Sequence, residues 1–337
     1  MREEKLKIIF MGTPEFGAII LDGLINSQYK PYAGRWPNGP FRPILVVTMP
    51  DKPVGREQIV TPPPVKTLAE KYKISVAQPE KISDLSSQIS DLKPDLIIVA
   101  AYGQIIPKEI LDIPKHGCLN VHPSLLPRWR GASPIQYAIL NGDEKTGVTI
   151  FLVDEKMDHG PILNQRIVEI ADGETGGTLH DKLVNFGKSF LIDTISKWQR
   201  GLIKLQPQDE DMVTYSKILT REDGRIIWKK NAQNLEREIR AFDPWPGSFT
   251  FWPRLGKLLR IKILKARVFK STGGISFPIG KTLVVPQNEI AVQCGGGFLS
   301  ERGDFLVIEK LQLEGKTEMC SEDFIRGHLD FIGTILK

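Results

Sequence analysis

Two side chains suited to acyl chemistry, Asn120 and His122, stand two residues apart in the sequence. If residues 118–122 form a strand, the alternation of side chains places both on one face. An amide can hold an oxyanion and an imidazole can move a proton, and acyl transfer needs both. A lone histidine near a strand end is more often structural than catalytic, so the pair alone leaves both roles open.

A constrained loop and an isolated acid follow this pair. Pro123, Pro127 and Gly131 restrict the backbone after the strand, so the loop could shape a pocket. Asp158 lies further on, in the segment Met157-Asp158-His159-Gly160. Because α/β sheets bind ligands outside the carboxyl ends of their strands, we expect Asp158 to converge with the amide and the imidazole. On spacing alone, this acid could equally cap a backbone turn.

Alternating strands and helices dominate residues 1–200. This alternation predicts an α/β unit with a doubly wound, mostly parallel sheet. The GxGxxG fingerprint is absent, so dinucleotide binding is only weakly indicated. We expect residues 50–64 to form a long loop and residues 29–42 a surface insertion. The predicted strands are 6–11, 43–49, 74–77, 95–101, 118–122, 146–153 and 162–170, and the predicted helices include 65–72, 133–140 and 179–198.

The pattern changes after residue 200. Residues 201–213 are predicted to be a linker, and a short helix is expected over 235–242. Short apolar segments separated by Gly-rich turns then predict a small β-barrel or sandwich, with strands at 258–268, 282–285, 290–292 and 305–313. The sequence thus predicts domains at 1–200 and 214–337.

Composition places the chain among ordinary soluble globular proteins. It has 337 residues, of which 41% are hydrophobic and 25% charged, and about 100–200 residues per domain predicts two domains. No apolar run approaches the roughly 20 residues that a membrane span needs. The first residues lead straight into a predicted strand, so no secretory signal is expected. The chain has three cysteines, Cys118, Cys294 and Cys320, without metal-binding spacing. We therefore expect free thiols in the cytoplasm and no metal. We also expect a monomer.

A basic run stands out against a net charge of only +5. Between Arg254 and Lys270 there are seven basic residues and no acidic one. In Arg260-Ile261-Lys262 the two charges should share one strand face. Such a stripe matches the phosphates of a nucleic acid, although a solubilising barrel face would look the same.

The order of these residues resembles the active-site signature of the folate-dependent formyltransferases. That signature runs Asn-x-His, Ser-Leu-Leu-Pro and Arg-Gly, with a later aspartate. The resemblance implies that Asn120, His122 and Asp158 are catalytic and that 10-formyltetrahydrofolate is the formyl donor. It also implies folate contacts for a further six residues. These are Tyr102, Gly103, Ser124, Leu125, Leu126 and Pro127.

Other segments resemble the branch of this family that formylates methionyl initiator tRNA for translation initiation. They are 10–16, 50–56, 61–66, 128–136, 213–217 and 240–247. The resemblance implies a Rossmann-like catalytic domain, which carries the mostly parallel sheet, followed by a smaller OB-like β-barrel that helps to hold the tRNA. The implied tRNA contacts are Arg56, Arg260, Lys262, Lys265 and Arg267. Two departures are the less basic Glu57-Gln58-Ile59 after Arg56, and His159 where threonine is common.

The implied reaction is a direct attack by an α-amine on the formyl group. Such an amine has a pKa of about 7.7–8.0, so a useful fraction is neutral at pH 7. Asn120 would donate a hydrogen bond to the formyl oxygen. His122, held by Asp158, would stabilise the oxyanion and pass a proton to the leaving nitrogen.

Several other classes of protein share parts of this pattern. A sugar-nucleotide N-formyltransferase would use the same trio and donor without needing the basic stripe. A formyltetrahydrofolate hydrolase usually carries an extra domain, for which this chain has no room. Glycinamide formyltransferase is smaller and lacks a second domain. An inactive OB-type RNA-binding module would not need the intact trio.

Overall fold

The computed structural model describes residues 6–27, 41–55, 57–269, 277–296 and 304–337. The chain forms two compact units, each assembled from separate stretches of sequence. The first contains Met1–Pro134, Lys145–Glu169 and His180–Ser216, and the second contains Ile135–Glu144, Ile170–Leu179 and Lys217–Lys337. Most of the expected 29–42 insertion and all of Arg56 lie outside the described residues. The domain limits at 1–200 and 214–337 stay a prediction.

Eleven strands are described up to residue 216. They are β1 (Ile8–Gly12), β2 (Leu45–Val47), β3 (Lys52–Val54), β4 (Ile59–Thr61), β5 (Ser75–Ala77), β6 (Leu96–Ala100), β7 (Cys118–His122), β8 (Arg130–Gly131), β9 (Lys145–Leu152), β10 (Ile162–Glu169) and β11 (Tyr215–Ser216). Seven of them form one sheet in the order β10-β9-β7-β6-β1-β2-β5. Pairing is parallel from β7 to β5, and β9 and β10 are antiparallel additions.

Six α-helices are described up to residue 200, and the last of them follows the final strand of this sheet. They are α1 (Glu15–Ile25), α2 (Pro64–Lys71), α3 (Ser86–Leu92), α4 (Lys108–Leu111), α5 (Pro134–Asn141) and α6 (Gly176–Trp198). Every residue of β1 and β6 is buried, as expected for central parallel strands covered on both faces. The predicted α/β class with a mostly parallel sheet is confirmed.

The predicted loop 50–64 is partly regular, and the prediction is wrong there. Its centre forms the exposed hairpin of β3 and β4, in which Lys52 pairs with Thr61 and Val54 with Ile59. Gly55 and Gln58 reverse the chain with φ values of 76° and 50°. Because the strands are short and flanked by prolines, the sequence shows no alternation of apolar residues that would predict a hairpin.

The second unit is built on an antiparallel sheet. Its strands are β12 (Ser248–Arg254), β13 (Lys257–Phe269), β14 (Thr282–Val285), β15 (Glu289–Gln293), β16 (Phe305–Leu313) and β17 (Glu318–Cys320), in the order β12-β13-β16-β15-β14 with β17 beside β16. Helices α7 (Ala232–Ala241) and α8 (Ser321–Gly327) contribute to its core. Trp252 is fully buried and packs edge-to-face against Phe324 and Phe331. The predicted smaller barrel-like unit is confirmed.

The last residues of the chain join the two edges of this sheet. Phe251 of β12 and Lys337 exchange two backbone hydrogen bonds of 2.9 Å. On the other edge, Leu336 N donates to Gly280 O and Thr282 N donates to the carbonyl of residue 334, both at 2.9 Å. The terminal segment therefore closes the curled sheet towards a barrel. Among the described residues, no helix has the length and apolar character needed to cross a membrane.

Removal of residues 334–337 should destabilise the protein by at least about 3 kcal/mol. Each lost hydrogen bond contributes about 0.5–1.5 kcal/mol net, and burial of Leu336 about 1.5–3 kcal/mol. Thermal unfolding measures the effect as a fall in Tm. The variant Lys337→Ala is the control, because it keeps the backbone and removes only an exposed side chain. An unchanged Tm for the truncated protein would show that the terminal segment does not close the sheet.

Candidate active site

Strand β7 carries both members of the amide–imidazole pair. It lies between β6 and β9, and regular pairing of Asn120 with Val99 and Phe151 keeps its alternation intact. His122 is buried, and its ring packs edge-to-face on Phe151 with 6.4 Å between centroids. Its Nε2 lies 3.0 Å from the Trp129 carbonyl oxygen. Because a carbonyl only accepts, Nε2 carries a proton and Nδ1 is the nitrogen left to exchange one.

Asp158 reaches this imidazole from the loop between β9 and β10. Its Oδ2 lies 3.8 Å from His122 Nδ1 and accepts a 2.8 Å hydrogen bond from Gly131 N. The residue adopts a φ of 49°, which aspartate tolerates better than most residues. The structure thus brings Asp158 and His122 together, as expected, and the carboxylate can hold an imidazolium.

Asn120 presents an unmatched polar atom beside the imidazole. Its Oδ1 is buried and has no hydrogen-bond partner among the described residues. A buried polar atom without a partner is costly unless a ligand satisfies it. A half-turn of the amide would exchange its oxygen and nitrogen, and an N–H donor would then occupy the same position. This feature suits a site that binds a polar group.

The Ser124–Pro127 segment, implied to contact folate, is largely an internal support. Ser124 is fully buried and its Oγ donates to Arg128 O at 2.6 Å. Its carbonyl accepts the Thr149 hydroxyl, which in turn accepts Leu126 N. Leu126 is also buried, whereas Leu125 and Pro127 are half-buried. Folate contact by this segment stays a prediction, and the two half-buried residues are better placed to make it.

The segment around Tyr102 and Gly103 likewise combines a buried residue with a more accessible one. Burial raises the pKa of the Tyr102 phenol to about 12, and its hydroxyl has no partner in the described part of the chain. Its carbonyl accepts the Thr13 hydroxyl at 2.8 Å. Gly103 is exposed, with a φ of 93° that favours glycine. Contact of these residues with folate is likewise a prediction.

A cavity of about 280 Å³ adjoins the loop that carries Asp158. Apolar side chains and loop residues line it, among them Leu111, Cys118, Leu152, Val153 and Asp154. Burial raises the pKa of the Cys118 thiol to about 12, so this thiol stays neutral. None of the six residues implied to bind folate lines the cavity. The one sequence signal for it was the position of Cys118, which shares a face of β7 with Asn120.

Four of the five basic residues of β13 share its outward face because the strand is irregular. Ile261 and Ile263 point into the core, whereas Ala266 takes the core position beyond register shifts at residues 263–266. A bulge of this kind reverses the alternation of side chains. The bulge therefore places a second pair, Lys265 and Arg267, on the face already predicted for the first pair, Arg260 and Lys262. The full set is Arg260, Lys262, Lys265 and Arg267.

Acidic side chains of β15 and β16 neutralise the second pair, Lys265 and Arg267. Lys265 Nζ lies 2.9 Å from Glu309 Oε2. Arg267 pairs with Glu289, and its Nε lies 3.6 Å from Glu309. The sequence run gave no sign of these partners, because they come from β15 and β16.

Arg260 and Lys262 carry the uncompensated charge of the stripe. Neither has an acidic group within 4 Å in the part of the chain that the structure describes. The Arg260 guanidinium lies 3.7 Å from the centroid of the Phe249 ring, a cation–π contact. Lys262 is exposed. No group of acidic, histidine or cysteine side chains among the described residues has the arrangement to hold a metal ion.

Gly131 has room for no side chain. A Cβ there would lie 2.2 Å from Ser216 O, and the residue has a φ of 113°. We therefore expect Gly131→Ala to cost at least about 2 kcal/mol and to displace the amide that binds Asp158. Thermal unfolding measures this cost. Gly173→Ala is the matched control, because Gly173 also has a positive φ but open space around it. Equal losses of stability in the two variants would contradict the close approach to Ser216.

Family models and curated relatives cover almost the whole chain. The formyl transferase model matches residues 6–195, and the model of the formyl transferase C-terminal domain matches residues 218–329. A methionyl-tRNA formyltransferase of Halalkalibacterium halodurans is 41% identical over 96% of this chain and 95% of its own length. The corresponding enzyme of Geotalea uraniireducens is 40% identical over 98% of both chains.

Solved structures share the fold at low identity. The N-formyltransferase of Helicobacter canadensis, solved with folinic acid and dTDP-3-aminofucose, has a TM-score of 0.61 at 18% identity and covers 90% of this chain and 98% of its own. HypX of Aquifex aeolicus, solved with tetrahydrofolic acid, has a TM-score of 0.56 at 17% identity over 98% of this chain and 48% of HypX. Together with the full-length relatives, the two domain matches establish that this chain belongs to the formyl transferase family.

Proposed function

We propose that the chain transfers the formyl group of 10-formyltetrahydrofolate to the α-amino group of methionyl initiator tRNA. The observation that carries the proposal is the placement of His122 Nδ1 3.8 Å from Asp158 Oδ2, with Asn120 on the same strand. These are the residue types that formyl transfer to an amine requires. The full-length relatives are named for this reaction.

Each of the three side chains has a distinct role in the proposed reaction. The donor supplies a formyl group on nitrogen, which the neutral α-amine attacks. With its amide turned by a half-turn, Asn120 donates a hydrogen bond from Nδ2 to the formyl oxygen, at the position where Oδ1 has no partner. Attack by the neutral amine leaves a surplus proton on its nitrogen, and His122 Nδ1 accepts that proton. The resulting imidazolium donates from Nδ1 to the oxyanion and then passes the proton to the leaving nitrogen as the donor's bond between the formyl carbon and nitrogen breaks. Asp158 stabilises the charged imidazole.

The cavity beside the Asp158 loop is the proposed binding site for the ring system of the folate. Its volume of about 280 Å³ and its apolar wall of Leu111, Leu152 and Val153 suit a flat heterocycle. Asp154, on the loop side, offers hydrogen-bond acceptors to ring N–H groups. The loop that lines this cavity also carries Asp158, which supports a donor bound close to the trio.

The acceptor tRNA is proposed to contact the outward face of β13. Arg260 and Lys262 provide free positive charge for phosphates, and Lys265 and Arg267 would need to leave their glutamate partners to do so. Arg56, which lies outside the described residues, remains a proposed contact to the acceptor end. Translation initiation is the process this reaction would serve, which implies a cytoplasmic protein. We propose that it acts as a monomer.

A sugar-nucleotide acceptor is not favoured. The solved sugar formyltransferases resemble the chain only at the level of the fold, with 18% identity, whereas the 40–41% identical relatives are methionyl-tRNA formyltransferases. A direct assay of the purified chain with 10-formyltetrahydrofolate distinguishes the two acceptors. We expect product with methionyl initiator tRNA and none with uncharged tRNA or dTDP-amino sugars. Product on the sugar alone would overturn the proposed acceptor.

Replacing His122 or Asp158 by alanine should reduce turnover about 100-fold or more while the fold persists, since each variant removes stabilisation of the transition state. Initial rates and circular dichroism measure the two properties. His180→Ala is the control, because this histidine pairs with Asp181 on α6 rather than with the site. Turnover near the wild-type value in either site variant would contradict the proposed roles.

Removal of the unpaired charges of β13 should weaken tRNA binding more than removal of the paired ones. We expect Arg260→Gln with Lys262→Gln to raise KM for tRNA several-fold and to lower the slope of log KM against log salt by roughly two. The matched pair, Lys265→Gln with Arg267→Gln, should have a smaller effect, because both charges are already compensated. Identical effects of the two pairs would mean that the ion pairs open when tRNA binds.

A further inference from the structure

We propose that Gln208 is a positioning residue for Asp158, and that the segment predicted to be a linker thereby sets the geometry of the reacting site. This inference rests on the proposed function, because it assigns Gln208 a role in that reaction. Gln208 does not touch His122 or Asn120 through any described contact. Its effect would pass through the backbone of the loop that carries the carboxylate.

The side-chain amide of Gln208 uses all of its hydrogen-bonding groups. Its Nε2 donates to the carbonyl oxygens of Asp158 and Gly160, both at 2.8 Å. Its Oε1 accepts from Arg130 Nε at 3.0 Å and from Arg130 Nη2 at 2.8 Å. Carbonyls only accept and a guanidinium only donates, so the chemistry fixes which end of the amide faces which partner. The two carbonyls belong to the 158–159 and 160–161 peptides, so the backbone that follows Asp158 is held at two points.

Arg130 anchors Gln208 from the opposite side. Its side chain is 2% exposed, and it also binds Glu210 through Nη2 at 2.7 Å and Nη1 at 3.3 Å. Burial works against the charge of Arg130, but hydrogen bonds to Glu210 and Tyr215 outweigh it and keep the arginine pKa above its usual value. The guanidinium is therefore a permanent charge at the centre of this contact.

The segment around Gln208 is tied to the sheet rather than free. Gln206 and Ile162 exchange backbone hydrogen bonds of 2.9 and 2.7 Å, next to the end of the Asp158 loop. A second side chain restrains the same loop, since His159 Nδ1 lies 2.5 Å from Asp154 Oδ2 and its Nε2 lies 3.7 Å from Glu210 Oε1.

The loop needs such restraint because Asp158 adopts a left-handed backbone conformation with a φ of 49°. Non-glycine residues persist in that region only when their surroundings hold them there. Rotation of the 158–159 peptide, whose carbonyl Gln208 holds, would move Oδ2 away from His122, now at 3.8 Å. A displacement of about 1 Å at a reacting group can reduce turnover about 100-fold.

The substitution Gln208→Glu removes the hydrogen bonds that the amide donates and keeps those that it accepts. A carboxylate keeps the shape and can still accept from Arg130, but it cannot donate to the carbonyls of Asp158 and Gly160. We expect kcat to fall about 10- to 100-fold, with KM for both substrates within about twofold of wild type. Gln206→Ala is the matched control, because this side chain is exposed and its structural bonds come from the backbone.

A double-mutant cycle distinguishes positioning from general structural support. In the Asp158→Asn background, Gln208→Glu should cause little further loss of kcat, because both changes act on the same carboxylate. Multiplicative losses, or an unchanged kcat in the single variant, would overturn the proposal.

Hydrogen exchange provides a readout that does not depend on the substrate. Peptides spanning 154–161 should exchange faster in Gln208→Glu than in Gln206→Ala, while the rest of the first unit stays unchanged. Unchanged exchange in that loop would overturn the proposal even if kcat fell. If the chain formylated no tRNA but the loop loosened, the proposed function would fail while the contact itself stood.

Discussion

One tripeptide, Trp129–Gly131, holds both members of the acid–imidazole pair. The Trp129 carbonyl binds His122 Nε2, and Gly131 N binds Asp158 Oδ2. Between them, the buried Arg130 reaches Gln208, which holds the backbone of the Asp158 loop. The distance from imidazole to carboxylate is therefore set by backbone groups of a single short segment, and it does not rely on a direct hydrogen bond between the two side chains.

The conformation of this tripeptide depends on a segment more than eighty residues away in sequence. Strand β8 pairs with β11, so that Arg130 faces Tyr215 and Gly131 faces Ser216. Trp129 N donates to the Thr214 hydroxyl at 2.9 Å, and Ser133 N donates to the Ser216 hydroxyl at 3.1 Å. The 206–216 segment thus forms part of the structure around the site, and it is a connector only in the sense of sequence order.

Much of this could be predicted from sequence, because apolar runs and alternation act locally. Strand β7 and the mostly parallel sheet followed from such patterns, and the family resemblance indicated the trio. Long-range features could not be predicted. The basic run itself gives no indication of the bulge of β13. It also gives no indication of the glutamates that pair with Lys265 and Arg267, since these come from other strands. Nothing near Arg130 in the sequence indicates that it is buried, because its partners Gln208 and Glu210 lie about eighty residues away.

The protonation of His122 tests the account most directly, because the proposed chemistry requires Nδ1 to be the exchanging nitrogen. Nitrogen-15 NMR of the imidazole, compared between the wild-type protein and Asp158→Asn, reports which ring nitrogen carries the proton. The account predicts that the neutral imidazole carries its proton on Nε2 in both proteins, which leaves Nδ1 as the nitrogen that can accept one. A neutral form protonated on Nδ1 would contradict it.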